Sequence, residues 1–145
     1  MNPAAAEAWI FDPDPVSSRE ARRRVSDVLE AAALDAAVAS AAMVVGELAA
    51  NAVLHACTAF EVRLLVEPEA VRIEVHDRDP RPPVRRNFSA TATSGRGLRL
   101  VEELCRAWGV EPDVDGGGKT VWALVPIAAP GGPLAGVDLS SVEPW

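Results

Sequence analysis

The apolar positions of the chain follow two alternating periods. Val25, Val28, Leu29, Ala32 and Ala33 recur at helical spacing, with Ser17 or Ser18 available as a cap and Glu20 near the start. Val38, Ala42, Val45, Leu48, Ala49, Ala52 and Val53 predict a second helix, capped near Asp35 and running to about Ala56. It is apolar around most of its circumference, as a buried helix must be. Phe60 to Val66 and Val71 to His76 instead alternate at every second residue, and Glu67-Pro68-Glu69 between them predicts a hairpin. Ala8 to Phe11 reads as a short edge strand, broken by Asp12-Pro13-Asp14-Pro15. A third helix is predicted over Leu98 to Ala107, with Leu98, Val101, Leu104 and Cys105 on one side. A strand from Trp108 to Val114, a Gly116-Gly117-Gly118 turn and a returning strand from Lys119 to Val125 complete the order. This succession predicts a two-layer α/β sandwich with helices covering one sheet face.

Two stretches lack either period. Pro80, Pro82 and Pro83 stand among Arg78, Arg81, Arg85 and Arg86, and small residues follow up to Gly95. A loop of about fifteen residues is expected there, a length that implies function or disorder. Pro130 to Trp145 is rich in Gly, Pro and Ala, so residues 1–126 read as one domain and 127–145 as a flexible tail.

The 145 residues are 49% hydrophobic and 24% charged, enough apolar mass for one buried core. A net charge of −7 repels phosphate backbones and argues against a direct nucleic-acid partner. An aromatic share of 5% without tyrosine argues against base-stacking platforms as well. Cys57 and Cys105 have no companions at zinc-binding spacing and read as free thiols of a reducing compartment. Met1 to Phe11 lacks the pattern of a signal peptide. The longest apolar run, Ala36 to Gly46, falls short of the roughly 20 residues that cross a bilayer. A cytoplasmic protein with no membrane partner is expected.

Four places carry candidate chemistry. Glu47, Asn51 and His55 are spaced four apart and line up along one side of the second helix. The amide oxygen of Asn51 suits Mg²⁺, and Glu47 one turn away suits orientation of a hydroxyl or water at a phosphoryl group. A polar stripe facing solvent is the competing reading. His55 near the helix end is explained by the helix dipole. Asp77 shares its parity with Val71, Ile73 and Val75, so its carboxylate faces the core and needs donors. An adenine amino group is one such donor; an aspartate opening a turn is the plainer account.

The third place is Gly95-Arg96-Gly97-Leu98 at a helix start, where glycines and free N–H groups accommodate phosphate. Six of the fourteen basic residues lie between Arg78 and Arg99, concentrating positive charge in an acidic chain. A solvated loop also explains that charge. The fourth is Gly118-Lys119-Thr120, which is no Walker A loop, because GxxxxGK[ST] is absent. Thr120 shares a strand face with Trp122 and Leu124, and its hydroxyl suits support of a carboxylate or water at a base pocket. A β-branched residue in a strand needs no such role.

Glu47-Leu48-Ala49-Ala50-Asn51-Ala52-Val53-Leu54-His55-Ala56 resembles the N box of the GHKL (Bergerat-fold) ATP-binding superfamily. Asp77, Gly95-Arg96-Gly97-Leu98 and Gly118-Lys119-Thr120 follow in the order of its G1, G2 and G3 boxes. The resemblance is nearest to the anti-sigma-factor serine kinase branch and covers about Phe11 to Val125. It implies a Bergerat-type fold, three helices on one face of a mixed, mostly antiparallel sheet, with ATP and Mg²⁺ as cofactors. It also implies Glu47 as the base or water-orienting carboxylate and Asn51 as the metal ligand. Asp77 would meet the adenine amino group with Thr120 in support, and Gly95, Arg96, Gly97 and Leu98 would bind phosphates. The implied partners are an anti-anti-sigma (STAS) protein, whose serine receives the phosphoryl group, a sigma factor, and a second copy in a homodimer. The chain departs from the branch at Arg78-Asp79-Pro80-Arg81, where relatives carry glycines, and at Thr93, where they often carry arginine. The resemblance therefore implies nucleotide binding more directly than phosphoryl transfer.

Overall fold

A computed structural model describes residues 5–81 and 97–127 of the chain. Strand β1 (Ala5–Phe11) leads into helix α1 (Pro15–Ala31), and Asp14 caps that helix. Its carboxylate accepts from the Val16 N–H at 2.9 Å, and Pro15 takes the first helical position, where a missing N–H costs nothing. The expected serine cap is thus displaced by one turn. Ser17 lies inside the helix, buried, donating its hydroxyl to the Asp12 carbonyl at 2.8 Å.

Helix α1 ends without glycine. Ala33 adopts a left-handed φ of 59°, and the Leu34 and Ala33 N–H groups close back on the Leu29 and Glu30 carbonyls at 2.8 and 3.0 Å. These paired bonds satisfy the terminal carbonyls and offset the roughly 1–2 kcal/mol that the backbone conformation costs. Helix α2 (Asp35–Asn51) begins at once. Leu34 holds the cap position with no side-chain bond, so Asp35 is the first helical residue and serves the dipole rather than capping. The helix continues as a π-helical turn over Ala52–Ala56.

Strands β2 (Phe60–Val66) and β3 (Ala70–Asp77) form the predicted hairpin, and both alternate buried and half-buried positions. Helix α3 (Gly97–Leu104) ends three residues before the predicted Ala107. Strand β4 (Ala107–Pro112) follows, two residues shorter at its end than the predicted Val114, and pairs with β5 (Lys119–Pro126). The sheet order is β1-β2-β3-β5-β4, with every described pairing antiparallel.

The three helices cover one face of this sheet, giving the expected two-layer sandwich. Val25 and Leu29 of α1, Val44, Val45 and Leu48 of α2, and Val101 of α3 meet Phe60, Val62, Leu64, Ile73, Val75 and Val121 in one core. The helical stretch Asp35–Ala56, 22 residues, is long and apolar enough by length and composition to cross a membrane. Part of that apolarity, 44% of the window, is buried where α2 packs against α1, α3, β3 and β5, while Met43 and Leu54 are exposed. The expected tail beyond residue 127 lies outside the described residues.

Candidate functional site

Asn51 is the last residue of α2, and the chain widens immediately after it into the π-helical turn. Such turns are rare but frequent at functional sites. The turn closes with the Cys57 N–H on the Ala52 carbonyl at 3.2 Å, and Cys57 itself adopts a left-handed φ of 56°. Asn51 is only 4% exposed, and its Oδ1 finds no hydrogen-bond partner among the described residues. That burial excludes the solvated-stripe reading for Asn51. Glu47, one turn earlier, is half-buried on the same side of the helix. His55 lies in the last turn, and its carbonyl accepts from Arg81 Nη2 at 3.2 Å.

The strand side is built around a buried ion pair. Asp77 ends β3 on the helix-covered face, 3% exposed, as its parity requires. Opposite it in register stands Lys119, the first residue of β5 and 4% exposed. Lys119 Nζ donates to Asp77 Oδ1 at 3.0 Å and to the Asp79 carbonyl at 2.8 Å. The same Oδ1 also accepts from the Asp79 N–H at 2.9 Å. Gly118 permits this closeness, because a Cβ there would overlap the Asp77 carbonyl oxygen.

Beyond the pair, Asp79 is buried and gripped by Arg81, whose Nη2 lies 2.6 Å and Nε 3.1 Å from its Oδ2. The Arg81 side-chain bonds hold the Asp79 carboxyl down at about 2, below its ordinary 3.8, against the opposing effect of burial. Arg81 thus links the β3 end to the His55 carbonyl, and the N-box helix and the Asp77 strand end adjoin on one face of the sheet.

The expected residues do not all gather here. Thr120 follows Lys119 in the strand and so points to the opposite, helix-free face, in register with His76. Its expected support of the Asp77 contact is therefore corrected: Lys119 occupies that place. Period-two alternation carried the signal, since Lys119 shares its parity with Val121, Ala123 and Val125. Gly97 and Leu98 open α3, whereas Gly95, Arg96, Thr93 and most of the basic loop lie outside the described residues. The helix-free face carries its own polar ladder. Glu74 Oε2 accepts from Arg72 Nε at 2.6 Å, and the Arg72 guanidinium lies 4.7 Å from the Trp122 ring centre.

Asn51 at the end of α2 and Asp77 at the end of β3 are thus both buried inside the α/β sandwich, the amide oxygen without a partner among the described residues. A model of the histidine kinase-like ATPase domain matches residues 11–124, and the chain belongs to that family. Membership implies ATP binding. No curated protein matches the chain.

Proposed function

We propose that this chain is an ATP-binding regulator of the anti-sigma type, which binds Mg-ATP where α2 meets β3 and phosphorylates a serine of an anti-anti-sigma (STAS) partner. Asn51 carries the reading: a buried oxygen without a partner among the described residues costs free energy unless a ligand completes it. A hard amide oxygen fits Mg²⁺, which takes its remaining ligands from water and phosphate. When bound, the ion supplies neutralisation of charge on the phosphate oxygens. Asn51 would hold it; Glu47 orients the partner's serine hydroxyl and accepts its proton as the serine oxygen bonds the γ-phosphorus and ADP leaves, and Asp77 receives the amino group of the base. The unphosphorylated partner and a sigma factor then compete for the protein.

A second reading, a nucleotide-dependent binding switch without phosphoryl transfer, has one observation in its favour. The segment after β3 is fastened by Asp79, Arg81 and the His55 carbonyl, which ties residues 78–81 to the end of the helix. One experiment separates the two. Mg-ATP at a hundredfold excess over Kd should raise Tm by about 5–10 °C, and Asn51→Ala should remove most of that gain. Labelled phosphate should then move from ATP to a STAS serine, and Glu47→Ala should stop it. An unchanged melting curve rejects the site; binding without transfer to any STAS partner selects the switch.

A further inference from the structure

The ammonium of Lys119 carries three protons, and the Asp77 carboxylate and the Asp79 carbonyl take two of them. Both described donors to the Asp77 carboxylate, Lys119 Nζ and the Asp79 N–H, use Oδ1. Among the described residues, Asp77 Oδ2 and the third Lys119 proton are therefore the acceptor and the donor that the pair has for a ligand. Both side chains are more than nine-tenths buried and face the helix layer, in which Asn51 is buried as well.

Purines differ in what they place before such a pair. Adenine offers an amino donor at its six-position, whereas hypoxanthine and guanine offer a carbonyl acceptor there and an N1–H donor beside it. A carboxylate alone accepts the amino group and repels the carbonyl. A carboxylate with an ammonium against it satisfies either edge: the amino group or N1–H donates to Asp77, and the carbonyl accepts from Lys119. Resting on the assignment of Asp77 to the base of a bound nucleotide, we infer that Lys119 is a specificity-determining residue that lets the site take 6-oxopurine nucleoside triphosphates as well as ATP.

Titration calorimetry of the full chain with the magnesium complexes of ATP, ITP and GTP tests this. ITP and GTP should bind within about tenfold of ATP, whereas an acceptor-only site rejects the mismatched edge by more than about a hundredfold. Lys119→Thr should widen the ATP-to-ITP gap beyond about a hundredfold, and Lys119→Arg, which keeps the donor and the charge, should hold it closer to the wild-type value. Should the threonine variant fail to fold, the wild-type ratio decides alone. Strong rejection of ITP by the wild type overturns the role of Lys119 and leaves the ATP site standing, as does an unaltered ratio in a folded Lys119→Thr. Binding of none of the three overturns the nucleotide reading and this inference with it.

Discussion

On the helical side of the site Asn51 holds a carbonyl oxygen with no partner among the described residues, whereas on the strand side Asp77 is met by two donors and backed by the Asp79–Arg81 fork. The helix end is chemically unfinished and held in place by the apolar residues around it. The strand end is held by charge, with one oxygen of its carboxylate already engaged. A ligand therefore gains most on the helical side, where it satisfies an orphaned atom. On the strand side it must share a carboxylate that is already engaged.

The largest effect should come from breaking the strand-side pair. Asp77→Ala leaves the Lys119 ammonium buried without its counter-charge and should cost about 3–5 kcal/mol in urea unfolding. The double variant Asp77→Leu with Lys119→Met should lie near the wild type, because an apolar pair needs no desolvation. A single-variant loss under about 1 kcal/mol would remove the contrast between the two sides.

Acid should produce a smaller loss. Because the folded carboxyl of Asp79 is held at about 2, below 3.8, its contribution is complete above 3.8 and disappears as the pH falls through about 2. Asp79→Asn should flatten the stability profile in that window. A wild-type profile already flat there would show the fork with Arg81, itself 76% exposed, to be inert.

The smallest change is expected on the helical side. In the absence of nucleotide Asn51→Leu should fall within about 1 kcal/mol of the wild type, since it removes an unpaired polar group. A loss above about 2 kcal/mol would mean that Asn51 is tied into the fold, and the comparison would fail.

Most of the fold was legible because its elements are simple in period. The β2 and β3 alternation, the all-round apolar α2 and the inward parity of Asp77 follow from residue spacing alone. What escaped lay at the ends of elements, where local chemistry overrides period. Asp12-Pro13-Asp14-Pro15 reads as a breaker, yet its last two residues start α1. Ala33 turns the chain left-handed where a glycine would have announced the stop. At the site, the N-box residues were readable because a polar residue in an apolar helix stands out. Lys119 was passed over in favour of its neighbour Thr120, although its parity with Val121, Ala123 and Val125 turns it inward. Its register with Asp77 supplies the counter-charge that a buried cation needs.

The widened turn at Ala52–Ala56 sets the phase between the N-box helix and everything that follows it. A single α-helical residue advances the chain by about 100° and 1.5 Å. Deleting one residue from this segment would restore ordinary winding, rotate the His55 carbonyl out of reach of Arg81, and uncouple the helix from the loop root beyond β3. The length of five residues therefore acts as a gear ratio between two parts of the molecule that meet through the Arg81 side chain.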